Sequence, residues 1–296
     1  MLKLLAKTEV FSDGKHNAFT DLLRYRDQYF LAFRNGTEHG TYDGKIMLMH
    51  SKEGREWSQP LVIVNTPTDD RDPKFFAFAD QLFCTFQTRW ADKKDPNHRR
   101  PPQVSSSADG FTWSEPVSYF EAEYVPWRPK ERAGVLYNAL YRYHSQDPAS
   151  CQVVLVKSSD GLKWDYVSTI YKGDAANETE LHFAADDYLW AVVRREKRTT
   201  VLARAAFPFV EWEYQDLGFA VHAPCLREIG GKLVLAGREY TAQGAGVFLW
   251  VYSGGTFVKA LEIEPLLSGQ DCAYCGLEET AHGEGLLSYY KGTGYK

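Results

Sequence analysis

The chain has 296 residues, a formal net charge of −5 and many aromatic, Gly and Pro residues, with no long helical pattern. This balance excludes nucleic acid or an acidic membrane as the main partner and points to an all-β fold. Five cysteines, an odd number, do not suggest a disulfide framework, and no apolar run approaches the roughly 20 residues of a membrane span.

The first seven residues, Met1-Leu2-Lys3-Leu4-Leu5-Ala6-Lys7, are too short and too interrupted by Lys to read as a signal peptide. The chain therefore reads as soluble and cytoplasmic, although a trimmed secreted or periplasmic protein would read the same. Lys3 to Val10 has strand character. From His16 onward a repeat sets in: an apolar segment, a short polar turn, and a second apolar segment closing on a polar or aromatic residue. The copies run His16 to Arg34, Arg71 to Gln87, Trp127 to Tyr141, Glu178 to Arg194, His222 to Arg238, and Asp271 to Tyr290. Their ends step by 53, 54, 53, 44 and 52 residues. Six copies predict six small antiparallel sheets around one axis, a single domain over 1–296. The stretch from Lys3 to Val10 is expected to close the last blade, since an open junction would leave strand edges bare.

Out of phase with that repeat lies a turn string, Ser51-Lys52-Glu53-Gly54-Arg55-Glu56-Trp57. It recurs as Ser107-Ala108-Asp109-Gly110-Phe111-Thr112-Trp113 and Ser158-Ser159-Asp160-Gly161-Leu162-Lys163-Trp164. The acid bonds its own backbone, Gly accepts positive φ, and Trp folds back over the turn. A fourth copy, Ala206 to Trp212, keeps only the Trp. Trp90 to Pro102 fits neither repeat and reads as a long loop of the kind that often carries function. Cys272-Ala273-Tyr274-Cys275 lacks the second pair or His cluster of a zinc site and reads as buried thiols. No metal and no cofactor are expected.

Ser-x-Asp-Gly-x-x-Trp resembles the Asp-box of the sialidase-like (BNR-repeat) β-propellers, where it marks a rim turn away from the pocket. Four further stretches are similar to that family's pattern. Asn177-Glu178-Thr179-Glu180-Leu181 with Arg194 resembles its fourth-blade Glu and Arg. Gly237-Arg238-Glu239 resembles the fifth-blade Arg. Gly269 to Leu277 resembles the strand that bears a nucleophilic Tyr, and Lys15 to Leu22 stands where an Arg-Ile-Pro strand is expected. The resemblance implies a six-bladed propeller of four-stranded antiparallel blades that hydrolyses a glycan bearing an acidic sugar at an axial pocket.

In that scheme Arg194 and Arg238 hold a carboxylate in fork geometry. Tyr274 is the nucleophile, Glu178 or Glu180 its base, and Asp72 or Glu38 the acid. A Tyr nucleophile is the exception to the two-carboxylate rule of glycosidases. This chain departs from the family at His16-Asn17-Ala18, where the first Arg is missing; Arg34, Arg71 or Arg128 would have to replace it. His39, His222 and Asp271 complete the expected pocket lining. Two other readings use the same residues. One is a polysaccharide lyase acting on a uronate, with Tyr274, His39 or His222 taking the proton. The other is a glycan-binding propeller without catalysis.

Overall fold

The structure, a computed structural model, describes residues 2–89 and 101–293. Every regular element in it is a β-strand. The first sheet is β1 (His16–Tyr25), β2 (Gln28–Gly36), β3 (Lys45–Ser51) and β4 (Leu61–Val64). The second is β5 (Asp69–Phe78), β6 (Gln81–Arg89), β7 (Gln103–Ser107) and β8 (Val117–Ser118). In the third, the inner strand is broken at Trp127-Arg128-Pro129 into β9 (Val125–Pro126) and β10 (Lys130–Arg132), both on β11 (Val135–Arg142). That sheet continues through β12 (Gln152–Ser158) and β13 (Asp165–Lys172). The fourth is β14 (Ala176–Phe183), β15 (Leu189–Arg195), β16 (Val201–Ala205) and β17 (Glu213–Asp216). The fifth is β18 (His222–Ile229), β19 (Lys232–Thr241), β20 (Gly244–Ser253) and β21 (Thr256–Leu267). The last is a two-stranded sheet of β22 (Gln270–Glu279) and β23 (Gly285–Thr293).

The architecture is a β-propeller, but the expectation of six four-stranded blades is corrected. Among the described residues five blades are complete, and the remaining place in the ring is held by the β22–β23 hairpin. Each inner strand packs on its neighbours: β1 on β5 and β22, β14 on β11 and β18, and β18 on β22. The expected closing strand is absent, because the chain from Lys3 to Val10 forms no strand. It is held by side chains instead, with Lys7 Nζ 2.8 Å from Glu264 and Leu2 against the core between β18–β21 and β22–β23. Ring closure is made by direct contact of β22 with β1. Gly276 lies so near β1 that a Cβ would meet the Leu22 amide nitrogen at 2.2 Å. Thr20 Oγ1 donates to the Tyr274 carbonyl at 2.6 Å across the same seam.

Strand alternation divides each sheet between two cores. Phe30 and Ala32 face the second blade, while Leu31 and Phe33 face the β22–β23 side. Both faces are buried, so the strands read as near-continuous apolar runs. Several inner hairpins turn on two residues of positive φ, as at Ala79-Asp80, Ala133-Gly134 and Gly230-Gly231, the type I′ geometry that matches strand twist.

The repeated turns join the third and fourth strands of the first three blades. Asp109 Oδ1 accepts from the amides of Phe111 and Thr112 at 2.8 and 2.7 Å, and Trp113 Nε1 donates back to the Gly110 carbonyl at 3.1 Å. Asp160 and Trp164 repeat this arrangement. Each glycine docks on the preceding sheet. A Cβ on Gly54 would strike Leu286, one on Gly110 would strike Phe30, and one on Gly161 would press on Phe83. Trp164 is buried, whereas Trp57 and Trp113 are only half-buried, less than the sequence suggests. Because strands alternate in direction, these turns lie at the end of the ring opposite the β2–β3 loop.

Candidate active site

Five of the inner strands carry a β-bulge at corresponding places: Ala18/Asp21, Arg71/Lys74, Ala176/Thr179, His222/Cys225 and Ala273/Gly276. Within these bulges Phe19, Asp72, Ala223 and Tyr274 have φ of 59°, 55°, 51° and 48°. Left-handed backbone costs a non-glycine residue roughly 1–2 kcal/mol. Its recurrence at one level of the axis marks a site where strain is held for a purpose.

The bulges converge on one couple. The Tyr274 hydroxyl donates to Glu178 Oε1. Glu178 Oε2 accepts from Arg194 Nη1 at 2.6 Å and from the Ala223 amide at 2.8 Å. Arg194 also reaches Glu196 at 2.7 Å. Arg238 lies with its guanidinium carbon 6.0 Å from the Tyr274 ring centre, and Arg71 sits 4.7 Å over the Phe19 ring, itself 4.8 Å from Tyr274. The buried Nε atoms of Arg71, Arg194 and Arg238, and Oδ1 of Asp72, have no hydrogen-bond partner among the described residues. Three guanidiniums with spare donors around one phenol form a site able to take an anionic group.

Burial pushes the Tyr274 hydroxyl far up, and the Glu178 and Asp72 carboxylates add to the effect. Burial also pushes Glu178 up, but Arg194, the Tyr274 hydrogen bond and Arg238 outweigh it and hold Glu178 below its ordinary range. Asp72 behaves likewise: burial opposes ionisation, and Arg71, Lys74 and Gln87 together overcome it. In this state the couple is therefore a neutral phenol beside a carboxylate, the arrangement a base-assisted tyrosine nucleophile needs.

The other expected site residues separate into three groups. Asp271 anchors a network at the edge of the pocket, receiving Tyr290 at 2.7 Å, His39 at 3.0 Å and His16 at 3.1 Å, with Arg238 at 3.5 Å. His222 is buried, stacks on Tyr240, and is kept neutral by burial and by the charges of Arg194 and Arg238. Glu180, expected as an alternative base, lies with Arg128 and with Lys130 at 2.6 Å.

Two of the three candidate replacements for the missing arginine are consumed internally. Arg34 is fully buried and spends its donors on Asp69 (2.7 Å), the Glu38 carbonyl (3.1 Å) and the Thr41 carbonyl (3.0 Å). Arg128 is tied to Asp21 at 2.7 Å, to Glu180, and to the Cys275 carbonyl at 3.0 Å. Arg71 is the one that stands beside the couple. Glu38 is exposed on the β2–β3 loop, and its contribution is the backbone carbonyl that Arg34 uses. Most of the long loop from Trp90 to Pro102 falls outside the described residues.

Sequence reasoning passed over Gln87, Tyr290, Phe19 and Lys74. Gln87 donates to Asp72 and Tyr290 to Asp271. Both are the closing residues of their repeats, in register with Arg34 and Arg238, so the repeat itself held the signal. At the opposite mouth of the axis a cavity of about 480 Å³ is lined by Leu23, Phe76, Lys130, His182, Phe183 and Arg227, without a nucleophile–base couple. All five cysteines are buried free thiols. Among the described residues no helix is long and apolar enough to cross a membrane.

A scan against protein-family models finds no match, and a search of curated proteins finds none either. Solved structures do match. Trypanosoma rangeli sialidase superposes with a TM-score of 0.72 at 11% identity, covering 94% of this chain and 52% of that one. The Hadza microbial sialidase Hz136 gives 0.65 at 12% identity, covering 84% and 59%. The Bombyx mori GH32 beta-fructofuranosidase gives 0.60 at 13% identity, covering 82% and 62%. The fold is shared with these glycoside hydrolases, and the chain spans roughly half the length of the sialidases it matches.

Proposed function

We propose that this chain is a glycoside hydrolase that removes an acidic sugar through a covalent tyrosyl intermediate. The carrying observation is the hydrogen bond from Tyr274 to Glu178 inside a ring of Arg71, Arg194 and Arg238. The guanidiniums would bind the sugar carboxylate, Arg71 standing in for the arginine that His16-Asn17-Ala18 lacks. Tyr274 would attack the anomeric carbon as its proton passes to Glu178 Oε1. A neutral phenol suits this step, because a second carboxylate would be repelled by the one on the substrate.

Asp72 would protonate the departing oxygen. It is ionised while Arg71 is unoccupied, so the reading requires the bound carboxylate to offset Arg71 and let Asp72 take up a proton. Water would then attack the anomeric carbon and release the sugar, Asp72 taking the water's proton and Glu178 returning its proton to the departing Tyr274 oxygen. The sialidases whose fold this chain shares were solved with sialic acid and with a 2,3-difluorosialic acid covalent intermediate, which supports a ligand of this class.

The test is turnover of sialosides, Kdo-glycosides and uronides, with fructosides and galactosides as neutral comparators, by wild type and Tyr274→Phe. An acidic glycoside should be cleaved by wild type, and Tyr274→Phe should bind it nearly as well yet turn over at least 1,000-fold more slowly, by order of magnitude. Equal rates would remove Tyr274 from the mechanism. An unsaturated, ultraviolet-absorbing product would establish a lyase, and cleavage of neutral glycosides alone would reject the acidic sugar.

A further inference from the structure

Lys74 lies on β5, two residues beyond Asp72, and is completely buried. Its ammonium has three donors, yet among the described residues it makes one hydrogen bond, 2.9 Å to the carbonyl of its own neighbour Pro73. It forms no salt bridge among the described residues. What it faces is aromatic: Nζ is 4.7 Å from the Trp127 ring centre and 5.7 Å from that of Tyr274.

The charges around it come from four elements. Asp21 on β1, Asp72 on its own strand and Glu178 on β14 attract it, and Arg128 from the break in the third blade repels it. None of those carboxylates is committed to it. Asp21 receives the Phe75 amide at 2.7 Å and Arg128, Asp72 receives Gln87, and Glu178 receives Tyr274, Arg194 and Ala223.

A cation left this way is a poor stabilising device. Burying an ammonium without a dedicated partner is costly, and an unbranched apolar side chain of similar length would fill the same space. Burial lowers the pKa of Lys74, and Asp21, Asp72 and Glu178 oppose that shift. In its ammonium form Lys74 puts a positive charge against the ring of the proposed nucleophile. There it favours any state in which that ring carries more negative charge.

We propose that Lys74 is a positioning residue for the Tyr274–Glu178 couple, its ammonium held against the ring so that the phenol can carry the negative charge that builds as its proton passes to Glu178. The proposal rests on the reading of Tyr274 as nucleophile. Lys74 itself exchanges no proton. The Tyr274 proton passes to Glu178 as the new oxygen–carbon bond forms and the bond to the leaving group breaks.

The experiment compares wild type, Lys74→Met and Lys74→Gln, each labelled with 13Cζ-tyrosine. The Tyr274 resonance is assigned by its loss in Tyr274→Phe. In both variants that resonance should move upfield, toward an ordinary neutral phenol. Turnover of the best acidic glycoside should fall about 30-fold with KM nearly unchanged, the equivalent of one desolvated cation–π contact. The melting temperature of Lys74→Met should match or exceed that of wild type. An unmoved Tyr274 resonance would overturn the proposal, as would unchanged turnover. A lower melting temperature in both variants with the resonance unmoved would show Lys74 to be a packing residue. If no glycoside is turned over by wild type, the functional reading fails, and the resonance alone still decides whether Lys74 acts on Tyr274.

Discussion

The Ala223 amide donates to Glu178 Oε2 at 2.8 Å, and it can do so because Ala223 holds a φ of +51°. An extended β18 would point that N–H along the sheet, away from the fourth blade. The bulge thus gives the carboxylate a third donor. Ala223→Gly, which adopts this φ without strain, should leave stability within about 1 kcal/mol of wild type. Ala223→Val, β-branched in the left-handed region, should cost about 2 kcal/mol or more. Chemical denaturation of the pair checks this; equal stabilities would mean the bulge is relaxed rather than held.

Glu178 ties three elements together, so its charge matters to the fold as well as to the chemistry. Glu178→Gln keeps the shape but leaves the partly buried Arg194 with Glu196 as its remaining carboxylate. Stability should fall by about 2–4 kcal/mol, since breaking one side of a buried pair strands the other. A denaturant midpoint indistinguishable from wild type would show that Arg194 finds another partner.

The turn glycines should separate by the room they have. A methyl on Gly110 would lie 2.6 Å from Phe30, and one on Gly161 would lie 3.2 Å from Phe83, both at positive φ. Gly110→Ala should therefore cost about 2–4 kcal/mol and Gly161→Ala about 1–2. Trp164→Ala, removing a buried ring, should cost about 3–5 kcal/mol, and Trp113→Ala less. All four lie at the end of the ring away from Tyr274. Ligand affinity of the folded variants should be unchanged, and a selective loss of binding would contradict that placement.

Buried histidines, His182 and His222 together with His16, should contribute to stability on the acid side of neutrality. Burial, with Lys130 adding to it, lowers His182 to about 4, and burial with Arg194 and Arg238 holds His222 lower still. Both stay neutral in the fold while the unfolded chain protonates them near pH 6.5. Their contribution is complete above that pH and is lost as pH falls, His182 losing its share between about 6.5 and 4. The slope should reach at most about 1.4 kcal/mol per pH unit for each histidine. Melting curves of His182→Gln and His222→Gln from pH 7 to 4.5 should be flatter than wild type. Parallel curves would place the acid sensitivity elsewhere.

Much of this site was legible in the chain, and the losses have physical causes. The repeat ends pointed to Arg194 and Arg238, while Tyr290 closes its repeat in the same way without having been singled out. They pointed to Arg34 too, but its satisfaction depends on Asp69 in the next blade and on carbonyls of the following loop, contacts no local pattern reports. Glu178 and Glu180 sit two residues apart and would share a face on a regular strand. The bulge between Ala176 and Thr179 parts them, sending one to Tyr274 and the other to Arg128. That the last blade lacks strands of its own was legible after Asp271 to Tyr290; what the chain did not report is that Lys3 to Val10, interrupted by Lys7 and Glu9, adds no strand to it.

The seam where Gly276 meets Leu22 bears on how the molecule breathes. A ring fastened by a shared strand opens only when a ladder of backbone bonds is broken. This ring is fastened by close contact and a few side-chain links, and the sheet beside the seam is two strands wide. Tyr274 belongs to that sheet and Glu178 does not. Thermal parting of the seam would draw the phenol away from its base, so working temperature would be limited by this local hinge well before the five complete blades melt.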